Sequence, residues 1–392
     1  MYTRKYLSVV VVLGIIAFCT AQANAAESSW FNILDFGATP NDGTPDSQAI
    51  QKAIDAASDV GGGTIYLPRG VYLIDKPIDI QNSNLVLTGD GSSTVLRNKK
   101  AEDALIRSLS CMRSPATSLE HVIVEKMHLD GADKSVDGIM FTGVTRGCVV
   151  RDIFVTNCRN GIDLSGCWSM SIERNHIAGC SDAGISLSIF TGDKRRKHRN
   201  ASIANAISVI GNTVTGCATG IAWRGGNGWI MMGNTFELNK RNADIISTES
   251  GTIIGNYFEA SKSKDALMVL GRKDSGIPKN LFIAGNMFYD TKVAGIQINA
   301  LINSQIVANR MDVPKERFIE IAKSSFPYRI RGNEIRTQNH DASRCPESGD
   351  AYGVPGQIAY GSNYMYVCIS PSKWNRVPLE NWPKTKEFSQ ND

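Results

Sequence analysis

Charge is scarce in this chain. Lys, Arg, Asp and Glu make up 20% of its 392 residues and the net charge is +4, too mild a balance to point to nucleic acid or a membrane surface as partner. An anionic glycan stays compatible. Metal-ligand spacing is missing too, with no CxxC and no Cys/His cluster, so no resident cofactor is expected. The glycines Gly61-Gly62-Gly63 lead into Thr64 without the Lys-Ser/Thr that a phosphate loop needs.

Past the amino terminus, no stretch is apolar enough to span a bilayer. Arg4 and Lys5 precede an apolar run from Leu7 to about Ala21, and Ala23-Asn24-Ala25 offers the small residues a signal peptidase reads. The run is shorter than the ~20 apolar residues of a membrane span. A signal peptide over residues 1–25, cleaved after Ala25, is therefore expected, giving a secreted or periplasmic protein without a membrane anchor. Cys19 follows Phe18 rather than the small residue of a lipoprotein site. The eight remaining cysteines are too few for a disulfide-dense scaffold of this length. Cys158 and Cys180 are 22 residues apart, compatible with stacked interior thiols as well as with a bridge.

Repetition is what the sequence has in abundance. Asn175, Asn212, Asn234, Asn256, Asn286, Asn309 and Asn333 recur in one local pattern, at steps of 37, 22, 22, 30, 23 and 24. A base period of 22 to 24 with two insertions explains all six steps. A second ladder, Gly138-Ile139, Gly161-Ile162, Gly184-Ile185, Gly220-Ile221 and Gly295-Ile296, opens with steps of 23, 23 and 36 and keeps the same phase. Self-similarity at this period marks a solenoid. Apolar and polar residues alternate within each repeat, the period of strands with one buried face. Asn tolerates the left-handed conformation of a tight bend and a preceding Gly relieves crowding, so a Gly-Asn corner once per coil is expected. Stacked asparagines can also hydrogen-bond along the axis. Leucine-rich repeats share the period but want a Leu-rich consensus that is not visible here. The expected fold is all-β, a right-handed parallel β-helix over residues 26–344. The insertions, around Phe190 to Ala206 and Ser261 to Lys279, should form loops on its flank. The first carries Lys194-Arg195-Arg196-Lys197-His198-Arg199, either a solvated loop or a cationic arm over an acidic sugar chain.

Ahead of the ladders, Gln48 to Ser58 shows an i, i+3, i+4 stripe of Ala49, Ile50, Ala53, Ile54 and Ala57, with Asp46 or Ser47 as N-cap. Such an amphipathic helix can cover the open end of a solenoid. Together with Phe36-Gly37-Ala38, the run from Asn41 to Ile54, and Gly61 to Tyr72, this cap resembles that of the pectate-lyase-like superfamily, which includes polygalacturonases, phage tailspikes, glucanases and uronan epimerases. The resemblance spans roughly residues 31 to 340 and is specific for fold, because members differ in reaction. Laid on the polygalacturonase motifs, only Asp137 survives; the paired carboxylates and the His are missing. The Asp-Pro-His-Glu signature of mannuronan epimerases is absent too.

Asp137, Asp163 and Asp182 remain as candidate catalytic carboxylates. Asp163 alternates with Ile162 and Leu164 and should point away from the core. Asp137 and Asp182, nearly two coils apart, should sit roughly 10 Å from each other, near the ~6.5 to 9.5 Å of an inverting glycosidase. A lyase or epimerase needs instead a base and a cation beside a uronate carboxylate. Arg159, Arg195, Arg196 and Arg224 are candidates for substrate binding, Trp223 for stacking on a sugar ring, and Ca2+ for a lyase. Residues 345–392 break the register and read as a small β-meander, with Cys345 and Cys368 as the most readily bridged pair. The expected activity is cleavage of an extended acidic glycan by β-elimination or hydrolysis. Binding without catalysis, tailspike-like, and uronan epimerisation are the alternatives. A homotrimer is compatible but not required.

Overall fold

A computed structural model describes residues 29–378 apart from 110–117, 189–203, 261–265, 273–275, 291–293, 313–316, 322–327, 332, 337–345, 347, 350–357, 361–363 and 371–372. The expected signal peptide, Arg195, Arg196 and Cys345 lie outside the described residues. Among the described residues no helix is long and apolar enough to cross a membrane.

The chain winds into a parallel β-helix, right-handed as parallel crossovers are. Its described strands form a 20-stranded and an 11-stranded parallel sheet, followed by a three-stranded antiparallel one. Each coil contributes to three faces. The back face carries strands such as Cys148–Arg151, the side face Phe154–Thr156, and the front face Ile162–Ser165. Front and back belong to one sheet because Thr219–Met232 and Arg241–Ile254, 14 residues each, run through the corner between them without a break.

The Asn ladder forms the corner between the back and side faces. Asn212 donates Nδ2–H to Asn234 Oδ1 at 2.9 Å, Asn234 to Asn256 at 2.9 Å, and Asn256 to Asn286 at 3.0 Å, and the series continues through Asn309 to Asn333. Each Asn Oδ1 also accepts the main-chain N–H of the Asn one coil earlier. The expected division of labour at this corner is reversed. The residue before each Asn holds the left-handed conformation, with φ of 65, 63, 62 and 61° at Gly211, Gly233, Gly255 and Gly285, while the Asn side chain satisfies buried backbone groups.

The Gly-Ile ladder has a different cause. A Cβ at Gly138 would sit 2.6 Å from the carbonyl oxygen of Gly161, and one at Gly161 2.5 Å from that of Gly184. Only glycine allows the coils to approach so closely. The isoleucines after them, Ile139, Ile162, Ile185 and Ile221, align in register as an interior column. Cys158, Cys180 and Cys217 also stack inside: all three are free and buried, and Cys217 Sγ accepts the Cys180 N–H at 3.3 Å.

Helix α1 (Ser47–Asp59) packs its Ala49, Ile50, Ala53, Ile54 and Ala57 stripe on the first coils. Asp46 occupies the N-cap position, but its carboxylate caps nothing; it accepts the N–H groups of Thr39 at 2.8 Å and Leu73 at 3.1 Å and ties the cap to the solenoid. The second expected insertion is only partly a loop, because Met268–Leu270 is a regular front-face strand within it. The terminal sheet consists of Ile358–Tyr360, Tyr364–Ser370 and Lys373–Pro378, and the expected Cys345–Cys368 pairing involves an undescribed residue.

Candidate functional site on the front face

Parallel register aligns the outward positions of the front face into rows. One row reads Arg107, Met140, Asp163, Ser186, Ala222, Asp244 and Val269. The next reads Thr142, Ser165, Ser188, Arg224 and Ile246. Asp163 faces away from the interior column, as its alternation with Ile162 and Leu164 requires, yet it is only 3% exposed. Beside it the hydroxyls of Thr142 and Ser165, paired across adjacent coils, are buried and have no hydrogen-bond partner among the described residues. A buried hydroxyl left without a partner costs about 1–3 kcal/mol.

The other expected residues are arranged differently. Asp137 is fully buried at the corner before the front face, where it pairs with Arg159 (Nη2–Oδ2 2.7 Å, Nε–Oδ1 2.9 Å) and accepts the main-chain and side-chain N–H groups of Asn160 at 3.0 Å each. Arg159 in turn donates to the carbonyls of Ser135 and Asp103. Two residues read as a catalytic acid and a substrate contact thus hold each other and three neighbouring turns. Asp182 is exposed in the turn one coil on, its N–H bonded to the Arg159 carbonyl. Trp223 is a correction: it faces inward, fully buried, and stacks on Trp229 at 4.0 Å between ring centroids. The sugar platform expected there is core packing, because Trp223 continues the inward column of Leu164 and Leu187.

Arg224 does reach the front face, and it has company that sequence reasoning missed. Asp244, in the Asp163 row and three coils on, is 1% exposed and lies among Arg272 (2.8 Å), Arg241 (3.8 Å) and Arg224 (3.9 Å). Asn242-Ala243-Asp244-Ile245 occupies the register of Gly161-Ile162-Asp163-Leu164. The missing glycine concealed it, although a step of 22 from Ala222 carries the phase. Among the described residues no three His, Cys, Asp or Glu side chains converge so that they could hold a metal ion.

The chain matches two family models, "Rhamnogalacturonase A/epimerase, pectate lyase-like" over residues 30–118 and "Periplasmic copper-binding protein (NosD)" over residues 117–276. It is 26% identical to Mannuronan C5-epimerase AlgE3 of Azotobacter vinelandii over 288 residues, 68% of this chain and 14% of the epimerase. It is 32% identical to Alginate lyase 7 of the same organism over 158 residues, 38% of this chain and 16% of the lyase. The chain therefore spans about a sixth of the length of these curated relatives. The solved structure of ORF18 of Geobacillus virus E2 superposes with a TM-score of 0.63 at 15% identity, covering 95% of this chain and 79% of that one. Coils, cap and family matches agree: the chain belongs to the pectate-lyase-like superfamily of parallel β-helices.

Proposed function

We propose that the protein is exported and acts on an extended acidic polysaccharide laid along the front face, removing the proton beside a uronate carboxylate. The observation that carries this reading is the combination on one face of Asp163, the unpartnered hydroxyls of Thr142 and Ser165, and a carboxylate-centred arginine cluster. Asp163 is the base, the Thr142 and Ser165 hydroxyls beside it donate to the substrate carboxylate as negative charge develops on the adjacent carbon, and the arginines three coils on hold the polymer by its charge. Exclusion of water strengthens both interactions.

From the resulting carbanion two outcomes balance. Expulsion of the glycosidic oxygen at the next carbon, which takes up a proton, gives β-elimination and an unsaturated end. Return of a proton to the opposite side gives the epimer. The names of the curated relatives, mannuronan epimerases and an alginate lyase, support this shared first step. Hydrolysis has less support, since Asp137 is engaged by Arg159 and Asp163 and Asp244, three coils apart, are separated by about 14 Å, beyond the ~6.5 to 9.5 Å of an inverting pair.

The burial of Asp163 favours a second reading, glycan binding without turnover. Incubation with a panel of uronate-containing and neutral polysaccharides separates them. Ultraviolet-absorbing ends mean elimination, reducing ends without absorbance mean hydrolysis, and column retention without chemical change means binding alone. No effect on any uronan contradicts the proposal.

A further inference from the structure

Arg224 and Arg272 bring two positive charges to the one carboxylate of Asp244, which neutralises only one of them. Such an arrangement is stable only if something holds the cations against their mutual repulsion. Asp244 does so from below: it is buried, and its Oδ2 is 2.8 Å from Arg272 Nη2. The arginines reach it from three successive coils, Arg224 and Arg241 from the two long strands and Arg272 from just beyond Met268–Leu270. Arg224 and Arg272 keep 45% and 48% of their side-chain surface exposed. Each guanidinium carries five N–H donors, so donors and charge remain available on the outer side.

The other carboxylate oxygen narrows the ligand chemistry. Asp244 Oδ1 is buried and has no hydrogen-bond partner among the described residues. A ligand seated here meets an anion-seeking pair of guanidiniums, and a hydroxyl reaching between them would supply the O–H that this buried acceptor lacks. A free phosphate or sulfate satisfies only the first. A uronate ring offers both, a planar carboxylate that matches the arginine fork and hydroxyls on neighbouring carbons.

We propose that Asp244, Arg224 and Arg272 form an anion-reading subsite for one uronate of the glycan, about 14 Å along the axis from Asp163. This rests on the glycan reading above and deepens it: the polymer is recognised by charge at a point remote from the reacting ring. Arg224 and Arg272 are binding residues here, and Asp244 is a positioning residue that orders them.

The test is calorimetric titration of the full chain with an oligomannuronate and with its carboxyl-reduced, neutral counterpart. Arg224→Ala combined with Arg272→Ala weakens oligomannuronate binding by about 10- to 100-fold and leaves the weak binding of the neutral oligomer unchanged. Asp244→Asn weakens the charged oligomer and flattens the salt dependence less than the double variant, because charge stays while order is lost. Both arginines are half exposed, so the double variant folds, and its unfolding curve checks this. Oligomannuronate binding unchanged in the double variant, or equal wild-type affinity for the neutral oligomer, overturns the subsite. Asp163→Asn separates the two proposals. Turnover that requires Asp163 with arginine-independent affinity refutes the subsite alone, whereas arginine-dependent affinity without turnover supports the subsite and refutes the chemistry.

Discussion

Arg159 closes on Asp137 with two contacts, 2.7 Å and 2.9 Å, across one coil of the solenoid. The carboxylate is fully buried and the guanidinium mostly so, which makes the pair a structural tie. Removing one partner of a buried pair strands the other, at a cost of about 3–5 kcal/mol. Arg159→Ala is therefore expected to lower the unfolding free energy by that amount in a denaturant titration. A variant as stable as the parent would show that the corner does not depend on the pair.

The asparagine corner offers a second quantitative test. Asn256 Oδ1 accepts from the main chain and side chain of Asn234, and Nδ2 donates to the Met231 carbonyl and to Asn286. Asn256→Ala leaves several of these groups buried without partners, each costing about 1–3 kcal/mol. A loss of about 3 kcal/mol or more is expected. Gly255→Ala should cost less, since only the φ of 62° is opposed and no neighbour lies within contact of a new Cβ.

Acid stability follows from Glu125. Burial pushes its carboxyl up, but hydrogen bonds from Arg151 (2.7 Å) and Thr88 (3.1 Å) and the nearby charges of Arg151 and Lys126 outweigh that and hold it below the usual range. A depressed folded value means that the ionised form stabilises the fold. Its contribution is complete above the unfolded value, about 4.3, and disappears as pH falls through the folded one. Glu125→Gln should be less stable than the parent at pH 7, with the gap closing towards pH 3, as read by thermal unfolding across that window.

The interior thiols make a chemical prediction. Burial pushes Cys167 up to about 12 and raises Cys148 and Cys158 as well. Thiolate is the reactive form, so Cys148, Cys158 and Cys167 should resist a thiol-reactive dye in the native protein at pH 8 and titrate on unfolding. Rapid native labelling of any of the three would contradict their packing.

How much of this was legible beforehand varied with the kind of signal. The coils were readable because Asn212, Asn234 and Asn256 satisfy the same backbone groups turn after turn, and a repeated physical need leaves a repeated residue. The role of each corner residue was not, since either half of Gly-Asn can occupy left-handed space and only the backbone angles decide between them. Trp223 was misjudged because its inward row also accepts Leu and Ile, and nothing in its own segment distinguishes a large core side chain from a surface platform. The outward placement of Asp163 follows from its alternation with Ile162 and Leu164. Asp244 was missed, because Asn242 replaces the glycine that marks the phase elsewhere, and its three arginines converge only after two long strands and a third coil are laid side by side.

The most direct measurement is proton exchange at the carbon beside the uronate carboxylate. A polyuronate incubated with the protein in deuterium oxide, then examined by nuclear magnetic resonance, should gain deuterium at that carbon or lose its proton to an unsaturated end. Asp163→Asn should abolish both while the protein stays folded and binds the polymer. Exchange that survives Asp163→Asn, or its absence with every polyuronate that the parent protein binds, would contradict the proposed chemistry.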